Sequence, residues 1–144
     1  MPFSESMLSS VVVQALSDTA FMFATPADAN APRGDLRVRI AFDGPSKGIV
    51  ELATNQAFGE ALAANLLGLE ADDPSLPESS PQAVLELSNI LAGLLVASAW
   101  GSGARCTLGI PAMMPKAGGL GAPLCAVSLE VDDLFPLWVA VTLD

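Results

Sequence analysis

The chain has 144 residues, 51% of them hydrophobic, with 6 Lys and Arg against 16 Asp and Glu and a net charge of −10. That length supports one domain, residues 1–144, with a single sizeable core, and the low charged fraction argues against disorder. The charge argues against nucleic acid and anionic membrane surfaces, which are bound through Lys and Arg, and the absence of His removes His triads, His–metal sites and His phosphotransfer.

At the N-terminus an acid, Glu5, precedes the first apolar run and no basic residue does. This is not the pattern of a secretory signal, so a cytoplasmic location is expected. Leu8, Val12, Ala15, Leu16 and Ala20 recur at helical spacing and predict an amphipathic helix over 5–20. Residues 25–34, rich in Ala and Pro, read as a loop. Leu36, Val38, Ile40 and Phe42 then alternate with Arg37, Arg39 and Ala41, the period of a half-buried strand with its basic face outward. A turn at Asp43–Gly48 leads to a second strand at Ile49–Ala53, and the two form a hairpin. Phe58, Leu62, Leu66 and Leu69 mark a helix over 56–69. Glu70–Pro81 reads as an acidic surface connection. Ser80 then offers an N-cap and Pro81 a first helical residue for a long helix to Trp100. Its apolar window, Val84–Trp100, is interrupted by Glu86, Ser88, Asn89 and Ser98, which favours a core helix over a membrane span. Beyond it, strands are expected over 104–110, Leu124–Val131 and Leu137–Leu143, with an irregular loop at Pro111–Lys116 and a glycine-rich turn at Gly118–Pro123.

This order gives an α+β fold, an antiparallel sheet packed by long helices. Helix followed by hairpin occurs twice and suggests a degenerate two-fold repeat, with the helix from 81 matching the helix at 5–20. Cys106 and Cys125 have apolar surroundings and no metal or thiol-redox spacing, and are expected as buried free thiols in preference to a disulfide pair.

On the long helix, Gln82, Asn89, Gly93 and Ala97 are spaced so that they fall on the same narrow arc as Glu86. Val84, Leu87, Leu91, Leu94, Leu95 and Ser98 are expected on the opposite, buried arc. The outward stripe is therefore acid, amides and small residues, not the Lys and Glu pairs of an ordinary solvated face. Taken on spacing alone, Glu86 and Asn89 fit an ordinary exposed helix face, and Gly93 a helix crossing.

The segment Glu86-Leu87-Ser88-Asn89-Ile90-Leu91-Ala92-Gly93 resembles the Glu-x-x-Asn signature of the CheX/CheC chemotaxis phosphatase family. There too the motif sits on a long helix, with a Pro well downstream, a role Pro111 fills here. The hairpin around Asp43-Gly44-Pro45 and the helix ending Leu67-Gly68-Leu69 fit in the same order. Gln82 stands where the family often has an acid or Ser, and the gap from Asn89 to Pro111 is slightly shorter than in the family pattern. The first helix has Val13, Gln14 and Ser17 in the comparable region, so a single motif makes the chain more like CheX than CheC.

The resemblance implies a phosphatase for the phospho-aspartate of a CheY-type receiver domain. The receiver brings Mg²⁺, a Lys and the acyl phosphate, so the chain needs no cofactor of its own. Asn89 would orient the attacking water and Glu86 would pair with the receiver Lys. Gln82, Gly93 and Ala97 would contact the partner. The alternative is a non-catalytic receiver-binding or assembly module.

Arg33, Arg37 and Arg39 are expected as a solvated strand face in preference to a contact for an acidic partner. Met113 and Met114 fit a contact surface and core gap-filling equally. The apolar strand Leu137–Leu143 lacks the Lys or Pro of a guarded edge, which suggests a homodimer through sheet edges.

Overall fold

The computed structural model of the chain describes residues 2–27, 32, 34–101, 103–114 and 122–144. Arg33, Pro115, Lys116 and most of the glycine-rich turn at 118–123 lie outside the described residues, as does part of the loop at 25–34.

The first helix, α1, spans Glu5–Ala20 and buries Leu8, Val12, Ala15, Leu16 and Ala20, the residues its periodicity selects. Ser4 caps it by accepting the Met7 N–H at 3.1 Å. Tertiary burial thus overrides the low helix propensity of Val11–Val13. A three-residue strand, β1 (Ala24–Pro26), follows inside the segment expected as loop. It is too short to show a period. The hairpin β2 (Leu36–Asp43) and β3 (Lys47–Thr54) pairs in register from Leu36↔Thr54 to Asp43↔Lys47.

Helix α2 covers Gln56–Leu67, capped by Asn55 and closed by Gly68 in the left-handed region. Helix α3 covers Leu76–Trp100, so it starts five residues before the position expected from Ser80 and Pro81. Ser75 is its N-cap residue and Pro77 lies in its first turn. Pro81 sits inside the helix and cannot donate to the Pro77 carbonyl. That carbonyl instead accepts from the Gln56 side chain at 3.1 Å, which offsets the cost of an interior proline. Ser80 is buried against α2, where its hydroxyl reaches the Gln56 carbonyl at 3.3 Å. A Cβ on Gly59 would overlap the Ser80 hydroxyl, so glycine is what allows α2 and α3 this approach.

The expected strand over 104–110 is reduced to β4 (Thr107–Leu108), and part of the expected irregular loop is β5 (Ala112–Met113). Both pair with β2. The last strands are β6 (Cys125–Val131) and β7 (Phe135–Leu143), joined by a turn at Asp132–Leu134.

The sheet runs β1-β6-β7-β3-β2-β4, with β5 also on β2, and every pairing is antiparallel. Its order reads the same from both sides of the β7–β3 boundary. Helix, short strand and hairpin occur once as α1, β1, β2–β3 and again as α3, β4/β5, β6–β7. Each half sends its short strand to the other half's hairpin. The degenerate repeat is thus present, with its edge strands exchanged.

β7 is a central strand, paired on both sides, and not the free edge its composition suggested. Its apolar run follows from burial on both faces. The true edges are β1, which ends in Pro26, and the two-residue strands β4 and β5, forms that discourage pairing with another sheet.

One face of the sheet packs on the helices, and Phe3, Phe42 and Trp100 close that core with ring centroids 5.3 to 5.8 Å apart. The other face carries Ala53, Ala126, Trp138 and Ala140. Arg37 is not on a solvated basic face as expected. Its guanidinium lies 6.0 Å from the Trp138 ring and 3.9 Å from Glu51, with only 12% of its side chain exposed. Arg39 is exposed. Cys106 and Cys125 are free thiols. Cys125 is buried, and burial followed by the nearby Glu5 raises its pKa; Cys106 is half-buried. Met114 fills the core while Met113 is 45% exposed.

Candidate functional site

Helix α3 buries Ala83, Val84, Leu87, Ser88, Leu91, Ala92, Leu95 and Val96. It is long and apolar enough by composition to cross a membrane, yet these residues pack it on α1, α2 and β2. Ser88 meets its polar need locally by donating to the Leu85 carbonyl at 2.6 Å. Burial on these positions turns Gln82, Glu86, Asn89, Gly93 and Ala97 outward. Gln82, Glu86 and Ala97 are open to solvent to differing degrees, and Asn89 and Gly93 lie along the same stripe. Leu94 and Ser98, expected on the buried arc, are exposed instead and line a shallow groove against Ser10, Val11 and Gln14 of α1. α1 does not reach far enough round to cover them.

Glu86 and Asn89 are one turn apart, so their side chains share one face. Among the described residues neither has a hydrogen bond or ion pair within the chain. Their polar atoms are therefore available to an outside group. An amide supplies both an acceptor and donors without titrating, and a carboxylate supplies two acceptors.

The stripe has two different flanks. Beside Gln82 and Glu86 lies a mainly apolar groove of about 490 Å³ between α2 and α3, reached by Leu66, Leu67, Ala83 and Ile90. Beside Gly93 lies the β4–β5 segment: a Cβ on Gly93 would meet Leu108 at 3.9 Å, an ordinary contact. Leu108 pairs with Phe42 and Ala112 with Arg39, so three residues, Gly109–Pro111, face two on β2. This is a β-bulge, held by the Gly109 N–H on the Ala41 carbonyl at 2.8 Å. It leaves Ile110 90% exposed and Pro111 half-buried. The structure thus brings the bulge carrying Pro111 to the Gly93 end of the stripe. Neither the groove nor Ile110 is recognisable from the α3 sequence alone. Pro111, at the end of an expected strand, is the available signal for a bulge.

The family described as chemotaxis phosphatase CheX matches residues 37–122, a span that includes Glu86, Asn89 and Pro111. The chain belongs to the CheX family. A comparison with curated protein sequences gave no match. Among solved structures, a CheX chemotaxis protein from Desulfovibrio desulfuricans is similar with a TM-score of 0.75 and 17% identity, covering 96% of this chain and 97% of that one. The CheX of a CheX–CheY–BeF3–Mg complex from Borrelia burgdorferi is similar with a TM-score of 0.69 and 16% identity over 96% of both chains. FliY from Thermotoga maritima is similar with a TM-score of 0.59 and 12% identity, covering 99% of this chain and 92% of that one. At these identities the structural likenesses speak to the CheX-like fold, and the family match carries membership.

Proposed function

We propose that this CheX-family protein is a phosphatase for the phospho-aspartate of a CheY-type receiver domain. The observation that carries the reading is the pair Glu86 and Asn89, outward on one face of α3 and unengaged within the described chain. The Borrelia relative solved together with CheY, BeF3 and Mg supports a receiver as the partner. In this reading Mg²⁺, the acyl phosphate and an active-site Lys belong to the receiver.

Hydrolysis of an acyl phosphate by in-line attack depends chiefly on positioning and charge stabilisation. The Asn89 amide holds the water in line with the phosphorus. Glu86 pairs with the receiver Lys and fixes the docking register. Gln82 contributes to the rim at one end, and Gly93 with Ala97 lets the helix lie close at the other. The reading places the protein in the cytoplasm with its receiver. Any homodimer through sheet edges uses β1 or β4/β5, since β7 is internal.

The test is phosphate release from a phosphorylated CheY-type receiver with this protein at sub-stoichiometric concentration. Multiple turnovers are expected. Asn89→Ala should reduce the stimulated rate by about 100-fold or more while receiver binding changes little. Glu86→Ala should weaken both rate and binding. Full activity in both variants would overturn the assignment. Stoichiometric binding without turnover would instead indicate a non-catalytic receiver-binding module.

A further inference from the structure

At the edge of the sheet away from β2 and β4, three large apolar side chains stand in solvent: Phe21 is 78%, Phe23 74% and Leu134 71% exposed. They belong to one corner. The Phe23 N–H donates to the Asp132 carboxylate at 2.9 Å, and the Asp132 N–H donates to the Phe23 carbonyl at 2.7 Å. The same corner holds the non-glycine residues with left-handed backbone among those described, Phe21, Asp132 and Asp133, at φ 56°, 54° and 56°. Phe21 is the C-cap of α1, and Asp132 and Asp133 lie in the β6–β7 turn, so these backbones fix where the exposed side chains stand; a group of large exposed apolar side chains marks an interaction surface. Next to it a groove of about 480 Å³ runs along α2, floored by Ala57, Ala61 and Ala64 and flanked by Glu60 and Asp132. The alanines share one helix face, and their small side chains admit another backbone.

Charge decides the occupant. Glu60 and Asp132 line the groove and Asp133 follows in the same turn, and among the described residues none of them is in an ion pair. The described cations lie elsewhere: Arg37 and Arg39 on β2, Arg105 just before β4, and Lys47 at the far end of the hairpin. A second copy of this chain would bring acid against acid, and an anionic membrane would be repelled. We infer that the corner is a docking surface for a cationic amphipathic segment of a partner protein. Apolar side chains at helical spacing would cover Phe21, Phe23 and Leu134 and enter the α2 groove, while Lys or Arg on the segment's flanks meet the acids. α2 stands between this groove and the one beside Glu86.

A Leu/Lys amphipathic helical peptide of about 18 residues is the probe, followed by backbone-amide NMR of the full chain. Saturable binding is expected, with shifts concentrated at Phe21–Phe23, along α2 and at Asp132–Phe135. Raising the salt concentration should weaken it. The pair Phe23→Ser with Leu134→Ser, both solvent-exposed and so compatible with an unchanged fold, should lower affinity about ten-fold or more. Ile110→Ser, an equally apolar and exposed position across the molecule, should leave it unchanged. The inference is overturned if the peptide does not bind, if a Leu/Glu peptide binds as well, or if Ile110→Ser weakens binding as much as the double variant. It is also overturned if the chain self-associates and Phe23→Ser abolishes that, which would assign the corner to a second copy.

Discussion

A glycine inside a helix costs about 1 kcal/mol relative to alanine, and Gly93 does so where the chain's own packing does not require it. Its neighbour Leu108 would meet an added Cβ at 3.9 Å without displacement. Gly93→Ala should therefore stabilise the fold by about 1 kcal/mol in urea melts. Gly93→Leu should keep the fold and lower affinity for the phospho-receiver about ten-fold, because it holds α3 away from its partner. Unchanged affinity would mean that the receiver does not approach at Gly93. Glu51 shows a different conflict. Burial raises its pKa, and Arg37 and Arg39 offset only part of that effect. A carboxyl whose pKa is higher folded than unfolded binds more proton in the folded chain. Its contribution to stability is then greatest in acid and is lost as pH rises from the ordinary glutamate value through the raised one. Glu51→Gln removes this titration, so its stability should gain on the parent chain as pH rises above the ordinary glutamate value and run parallel once Glu51 is ionised in both states. Melts across that range check it, and a gap that is flat or closes with pH rejects it.

The crossing of α2 on α3 sets how the site helix is presented. Ser80 takes the space that Gly59 leaves open, and Gln56 serves the carbonyl orphaned by Pro81. Gly59→Ala should destabilise by about 1 to 3 kcal/mol through overpacking. Ser80→Ala in the same chain should recover part of the loss, because the closest clash is with the hydroxyl. Denaturant titration of the single and double variants reads this directly, and an undiminished loss in the double variant would place the strain elsewhere. These contacts also explain which elements are legible in the sequence. α1 is readable to its ends because a single amphipathic period fixes it. The start of α3 is not, since Ser75 with Pro77 and Ser80 with Pro81 are two start signals in series. The contacts with α2 favour the earlier one. β1, β4 and β5 are too short to carry a period, and exist because a longer strand templates them. The Glu86–Asn89 face is legible because helix geometry is local. Its flanks, Leu67 across the groove and Ile110 on the bulge, come from tertiary packing and leave no mark on the α3 pattern.

At the scale of the molecule, the exchanged edge strands make each half depend on the other. β1 follows α1 in the chain but pairs with β6, while β4 and β5 follow α3 but pair with β2. The halves also meet along β3 and β7, in register from Gly48↔Leu143 to Ala53↔Trp138. Cutting the chain in the acidic connection near Glu70 would leave β1 without a partner and uncover β3 in one fragment. In the other, β4 and β5 would have no template and β7 would become a bare edge. β7 is buried on both faces in the whole chain, so the second fragment would expose an unguarded apolar strand. Fragments of about 70 residues also bury a smaller share of their surface than the whole chain does, and have little stability with which to absorb these losses. Neither fragment should show a cooperative thermal transition alone. An equimolar mixture should recover the near-ultraviolet signal of Trp100 and Trp138. A fragment that melts cooperatively by itself would show that the exchange is decorative and that one half is an independent domain. Failure of both to fold alone, with recovery on mixing, would show that the Glu86–Asn89 face is presented only by the complete two-fold arrangement. The second half carries the motif, and the first supplies the α2 crossing and the β2 edge that hold it.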